Sequence, residues 1–289
     1  MGLAYILAAA CFSVLVSMLL KWMPRRGVDV AQAVTWNYLA AGLLCLALLD
    51  PPLATLRTPA APWPALALLA VVLPGLFLVL AVSVRRAGIV RTDAAQRLSL
   101  LLTLVVAFTW LGESAGAQKL AGLALGLVAV AAIVARPEPA AGRGGGALLP
   151  LLTVWVGFAL VDVMLKLIAR AGIPFAASLL AAFTLAFVGM LAIQLLRQVR
   201  GQTRLSGRNL VAGLALGTLN FGNIVCYVRA HQALPDNPAV VFASMNIGVV
   251  VLGTLAGVLV FGEPTSRWNR LGIALAILAI ALIAFAPRG

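Results

Sequence analysis

Apolar residues fill most of this chain in long continuous runs, which are separated by short groups of charged residues, prolines and glycines. A membrane-spanning helix needs about 20 apolar residues, whereas a barrel strand would alternate over about 10. Because the runs are continuous and of helical length, the pattern predicts an all-α polytopic membrane protein with ten transmembrane helices. The predicted spans are residues 3–22, 31–49, 63–84, 88–111, 117–135, 148–168, 173–196, 208–230, 236–261 and 268–286.

Two short patterns occur once in each half of the chain. Gly112-Glu113 and Gly262-Glu263 each end an apolar run, and Lys21 and Lys166 occupy matching positions late in the first span of each half. Five spans per half force the second half to insert upside down, so the sequence predicts a 5+5 inverted repeat. The predicted units are a first five-helix repeat at 1–136, a linker at 137–147 and a second five-helix repeat at 148–289.

The composition fits lipid as the main solvent. Apolar residues make up 63% of the chain and charged residues 10%, against roughly 25% charged residues in soluble domains. A net charge of +13 would suggest nucleic acid as a partner of a soluble protein. Here the basic residues lie in short loops between apolar runs, so we expect contact with membrane lipids and none with nucleic acid.

The basic residues also bear on orientation. Most of them follow the first, third, fifth, seventh and ninth spans, and the stretch 197–208 is the richest. The positive-inside rule then places both termini outside the cytoplasm. We expect a multi-pass protein of the cytoplasmic (inner) membrane.

Two charged side chains are predicted to lie deep within spans, where charges are costly and usually functional. Arg97 lies near the middle of the fourth span, and Asp162 is interpreted as the only acid well inside a span. The two could form a structural ion pair that locks two helices. The alternative, which we favour, is that both bind substrate and that Asp162 couples transport to a proton.

Further polar and aromatic residues extend this candidate site. Asn220, Asn223 and Asn246 lie at similar depth, whereas Asn37 and Tyr38 lie nearer the Arg-rich face and could line an entrance. Amides donate and accept hydrogen bonds, which suits a zwitterionic or polyhydroxy solute, although they also join helices in lipid. A tryptophan could stack on a substrate or lie at the membrane interface. The additional candidates for substrate binding are Asn37, Gln96, Trp155, Asn220, Asn223 and Asn246.

Other motif residues are assigned to structure. Glu113 and Glu263 lie at turns before a helix, where an acid complements the N-terminus of the helix that follows. Lys21 and Lys166 lie near helix ends and are expected to extend to the interface. Small-residue pairs such as Gly213 and Gly217 are expected to pack helices within the chain, with homodimerisation as the alternative. The protein is therefore expected to be a monomer or a homodimer.

The doubled Gly-Glu endings, the ten spans and the two lysines resemble the drug/metabolite transporter (DMT) superfamily, and in particular its EamA-like permeases. The segments 220–223 and 246–250 look like the eighth and ninth spans of such permeases. The resemblance implies a transport fold, and it implies cytoplasmic termini in many relatives. Small multidrug-resistance relatives carry a glutamate in their first span, and no glutamate lies between Leu3 and Leu20 here.

These patterns predict a secondary active transporter, not an enzyme, that moves a small polar metabolite such as an amino acid or amine by alternating access. A membrane enzyme acting on a lipid-linked substrate and a channel are the alternatives. No Gly-x4-Gly-Lys-Ser/Thr stretch is present, and no metal-ligand spacing occurs. We therefore expect no cofactor.

Overall fold

A computed structural model describes residues 1–58, 61–110, 116–134, 146–235 and 238–285. Within these residues the chain forms ten α-helices and no strand, which confirms the all-α prediction. The helices are α1 (Gly2–Trp22), α2 (Val30–Leu49), α3 (Trp63–Arg86), α4 (Ile89–Thr109), α5 (Ala117–Val134), α6 (Leu148–Arg170), α7 (Phe175–Val199), α8 (Gly207–Ala233), α9 (Pro238–Leu255) and α10 (Arg267–Ala284). One π-helical turn, Ala256–Val260, extends α9.

Seven helices of the described chain are long and apolar enough to cross a membrane by length and composition alone, namely α1–α3 and α6–α9, the last as Val240–Val260. This confirms a polytopic membrane protein. Helix α4 carries Arg91, Asp93 and Arg97, and the side chains of α5 that the structure describes form only a shorter apolar run, Leu120–Ala129. Crossing by α4, α5 and α10 stays a prediction, although α4 has 21 residues and would extend about 31 Å.

Contacts between helix ends define two faces of the bundle. At one face Lys21, near the end of α1, meets Glu263, and Asp29 at the start of α2 accepts from Arg197 at 3.0 Å. We call this the basic face, because most of the arginines lie at it. At the other face, which we call the terminal face, Gly2 lies against Leu234.

Neighbouring helices pair across the two halves of the chain. Helix α1 packs on α8 and α9, α6 packs on α3 and α4, and α2 packs on α7 and α8. Helices α5 and α10 pack along each other. Gly213 and Gly217 let α8 approach α2 closely, since a Cβ on Gly213 would lie 2.5 Å from the Ala33 carbonyl oxygen. If the two halves of the chain were exchanged, the contacts of α1 with α8 and α9 would become those of α6 with α3 and α4. The α2–α7 and α5–α10 pairs would be unchanged. The repeat itself and its unit boundaries stay predictions.

Two of the sequence features lie outside the described residues. They are the first Gly-Glu pair, Gly112-Glu113, and most of the predicted linker, residues 137–145.

Candidate functional site

A cavity of about 340 Å³ lies within the bundle. Its described lining comes from α1–α4 and α6–α9, whereas α5 and α10 contribute none of it. The lining residues on α6, α7 and α9 belong to the parts of these helices nearest the terminal face, for example Leu165, Phe175 and Phe242. The cavity therefore extends from the middle of the bundle toward the terminal face.

Arg97 brings a guanidinium group to this cavity. One terminal nitrogen, Nη2, donates to Ser13 Oγ on α1 at 2.7 Å, and Nη1 donates to Asn246 Oδ1 on α9 at 3.4 Å. Its Nε is buried and has no hydrogen-bond partner among the described residues. The guanidinium thus joins α4 to α1 and α9, and it retains a donor for another group.

Asp162 lines the same cavity from α6. Its Oδ2 accepts from Thr103 Oγ1 at 3.3 Å. Asp162 and Arg97 are close enough to influence each other electrostatically, yet no ion pair within 4.0 Å joins them in the described part of the chain. Opposite charges on separate walls leave room for a dipolar solute between them.

Amide side chains surround the two charges. Asn223 Nδ2 donates to the Ala9 carbonyl at 2.7 Å, and Asn246 Nδ2 donates to the Phe242 carbonyl at 2.8 Å. Asn220 and Gln96 also line the cavity. Asn37 is fully buried behind it, with its Oδ1 3.4 Å from Asn220 Nδ2. Helices α2, α4, α8 and α9 therefore place amides at or directly behind the cavity wall.

Trp155 is not brought to the cavity. Its indole N–H donates to the Leu98 carbonyl at 2.9 Å, and its ring packs against the cluster that includes Leu98 and Leu101. The indole thus joins α6 to α4, and it is not placed to contact a solute in this cavity.

The remaining wall is aromatic and aliphatic. Phenylalanines on α3, α6 and α7 line the cavity, together with Tyr38 and Tyr227. The Tyr38 hydroxyl is buried without a hydrogen-bond partner among the described residues. From the sequence, Tyr38 was expected at most to line an entrance near the Arg-rich face. The phenylalanines and Tyr227 were not selected, because the sequence of an apolar helix does not show which way an aromatic side chain faces.

The structure adds a second buried acid that the sequence analysis did not select as a site residue. Asp93 lies in the second turn of α4 and is only 1% exposed. Its Oδ1 accepts from Ser17 Oγ on α1 at 2.7 Å. The four-residue spacing from Arg97, which puts both on one helix face, was the signal in the sequence.

Glu263 supports a different helix from the one expected. Its two carboxylate oxygens accept from the backbone N–H groups of Ile89 at 2.7 Å and Val90 at 3.1 Å, so it caps α4. The next helix in sequence, α10, is capped by Ser266 instead. Glu263 also pairs with Lys21, which is 7% exposed and does not extend to the interface as expected.

Comparison with known proteins supplies an independent line of evidence. The EamA-like transporter family model matches residues 1–135. An uncharacterised protein of Haemophilus influenzae is 36% identical over 285 residues, covering 95% of each chain. An uncharacterised protein of Pseudomonas aeruginosa is 34% identical over 193 residues, 65% of this chain and 61% of that protein.

A solved crystal structure shares the fold, with a TM-score of 0.54 and 19% sequence identity. The match covers 97% of this chain and 94% of that one.

Proposed function

Because this chain belongs to the EamA-like transporter family of the DMT superfamily, we propose that it is a secondary active transporter. It moves a small polar metabolite across the cytoplasmic membrane by alternating access. The observation that carries the proposal is the cavity between the halves, in which Arg97 and Asp162 face a common space. Charges at this depth are costly, so two opposite charges that share a cavity without a direct ion pair favour a ligand-binding role.

The cavity chemistry favours a zwitterionic solute. The Arg97 guanidinium presents donors suited to a carboxylate, and Asp162 presents acceptors suited to an ammonium group. Asn220, Asn223 and Asn246 add hydrogen-bonding groups. The phenylalanines and leucines of α3 and α7 accommodate an apolar side chain. An amino acid with an apolar side chain satisfies all of these contacts.

Asp162 serves as the coupling residue in this proposal. Its carboxylate can hold either a proton or the ammonium group of a solute, and binding of one displaces the other. Such competition at one carboxylate links a proton gradient to solute movement. The Thr103 hydroxyl, which donates to Asp162, keeps the carboxylate directed at the cavity.

The asymmetry of the cavity supports alternating access. It extends toward the terminal face, whereas side chains of α1, α4 and α9 pack together between it and the basic face. A second conformation that opens the basic face would complete a transport cycle.

The proposal is tested by a thermal-shift screen of the detergent-purified protein against amino acids, amines, sugar phosphates and nucleotides. A ligand that binds only the folded form at about 100 times its Kd stabilises it by about 2.7 kcal/mol. We expect amino acids with apolar side chains to raise the melting temperature, and Arg97→Ala to abolish that rise. Asp162→Asn should remove proton-driven uptake of the same compound into proteoliposomes while the variant stays folded.

Arg229→Ala is the matched control, since Arg229 is an exposed arginine on α8 that lies outside the cavity lining. It should bind like the unmodified protein. Binding with native affinity by Arg97→Ala, together with native uptake by Asp162→Asn, would remove both residues from the mechanism and overturn the proposed site.

A further inference from the structure

A seam of polar side chains runs between α1 and α4 from the cavity to the basic face. Ser13, Ser17 and Lys21 follow one another at four-residue intervals on α1. Ser13 binds Arg97 at 2.7 Å and Ser17 binds Asp93 at 2.7 Å. Lys21 binds Glu263, which caps the first turn of α4. We call these three pairs the polar seam.

Helix α9 closes the seam from the other side through glycines. A Cβ on Gly253 would collide with Asp93 Oδ2, and a Cβ on Gly257 would lie 2.7 Å from Glu263 Oε2. Gly257 also lies against Val90, which is 4% exposed. The seam is therefore packed tightly between three helices that come from both halves of the chain.

Asp93 is the seam acid whose bonding is incomplete. One oxygen accepts from Ser17, while the other, Oδ2, is buried with no hydrogen-bond partner in the described chain. No basic group lies within 4.0 Å of its carboxylate among the described residues. Burying an ionised carboxylate in this way costs several kcal/mol, whereas a bound proton removes the charge.

The charged groups that face Asp93 are bonded to other partners. On its own helix, Arg97 lies one turn away and donates to Ser13 and Asn246. Glu263 acts on Asp93 from beyond α9, but its charge is matched by Lys21 on α1. Helix α3 offers Ser83, whose hydroxyl is bonded to Thr92 at 2.8 Å, and α9 offers Gly253. Arg97 and Glu263 are thus the charges that act on this carboxyl, and neither touches it.

We propose that Asp93 is a proton-binding site distinct from Asp162, and that its occupancy controls the polar seam. Asp93 does not line the solute cavity itself but lies directly behind Ser17, which does. With the proton on Oδ2, the carboxyl is neutral and the seam packs closed. When the seam opens, water from the basic face reaches Asp93 and takes the proton, and the carboxylate keeps the seam hydrated. Closure requires a proton to return from water on that same face. The control of opening rests on the proposed transport cycle, whereas proton binding does not.

Infrared pH-difference spectroscopy of the purified protein tests the binding site without any solute. A protonated carboxyl has a C=O stretch that a carboxylate lacks. The other carboxyls of the chain also give C=O bands when protonated, so the assignment rests on differences between variants. In the Asp162→Asn background we expect one component of the titrating C=O signal to shift in frequency when Ser17→Ala is added, and to vanish when Asp93→Asn is added. Spectra that are unchanged by Asp93→Asn, in variants that remain monodisperse, would overturn the proposal even if solute binding is intact.

Thiol labelling tests the effect on the seam. In a protein with Cys11, Cys45 and Cys226 replaced by serine, Val90→Cys would report access from the basic face to a membrane-impermeant maleimide. We expect labelling, normalised to an exposed Gln202→Cys control, to increase several-fold as the pH rises. Asp93→Asn should hold it at the low level at every pH. A pH response that persists with Asp93→Asn would show that another group controls the seam and would overturn the proposal.

Discussion

Among single residues, Glu263 connects segments that are far apart in the sequence around one carboxylate. It accepts from two N–H groups at the start of α4 and pairs with Lys21 on α1. Gly88, the residue before α4, has φ +89, and a Cβ there would lie 2.6 Å from Glu263 Oε2. The glycine therefore supplies both the left-handed backbone and the space that the carboxylate needs. Glu263 thus caps α4 from a distant part of the sequence, whereas α10 is capped by Ser266, the residue directly before it.

We predict that Glu263→Gln destabilises the protein by about 3–5 kcal/mol, because it leaves the buried Lys21 ammonium without its counter-charge. Chemical unfolding of the purified protein in mild detergent gives the measurement. Lys21→Met should recover part of the loss when combined with Glu263→Gln, and the double-mutant cycle isolates the pair. A single variant as stable as the unmodified protein would show that the pair contributes no net stability.

Between elements, small residues decide which helices can approach. Gly213 and Gly217 face the backbone of α2, and Gly253 and Gly257 face the seam. The three small-residue pairs, including Gly122 and Gly126, all meet neighbouring helices of the same chain. Packing within the chain therefore accounts for them, and the choice between monomer and homodimer stays open to measurement.

At this scale we predict that Gly213→Ala costs about 1–3 kcal/mol, because the added methyl group meets the Ala33 carbonyl and the Trp36 Cβ, each at 2.5 Å. The melting temperature of the purified variant is the readout. Gly189→Ala on α7 is the matched control, since nothing lies within 4 Å of its added methyl group. Equal melting temperatures for the two variants would contradict close packing of α2 and α8.

The sequence predicted the helices well, because continuous apolar runs of this length have few alternatives in lipid. It also predicted that Arg97, Asp162 and the asparagines share a depth, since depth follows from position along a helix. Rotation about the helix axis does not follow, because nearly every position is apolar. The sequence therefore did not show that Trp155 binds α4 instead of lining the cavity. Asp93, near a helix end, was not selected either. The partner of Glu263 was missed because the local rule points to α10.

For the molecule as a whole, basic side chains concentrate at one face. The ends of α1, α3 and α7 and the start of α8 bring together Arg25, Arg26, Arg85, Arg86, Arg197, Arg200, Arg204 and Arg208. A cytoplasmic basic face follows from the positive-inside rule, whereas the resemblance to EamA-like permeases implies cytoplasmic termini in many relatives. The distribution of charge in this chain supports the first.

We predict that alkaline phosphatase fused to the C-terminus is active in intact bacterial cells, and that a fluorescent protein fused there stays dark. The same reporters inserted at Gln202, which is exposed on the basic face, should give the opposite pair of results. A fluorescent C-terminal fusion with an inactive phosphatase would reverse the orientation and place the open side of the cavity in the cytoplasm.

The tight closure between the cavity and the basic face has a kinetic consequence. In the proposed transport cycle, every contact that keeps this side shut also raises the barrier to opening it, so a protein that holds its Asp93 proton and no solute stays closed. The energy for opening then comes from loss of that proton and from a ligand that binds the open form better than the closed one. A cell could therefore hold many copies of such a protein without leaking ions or metabolites, at the cost of slower turnover.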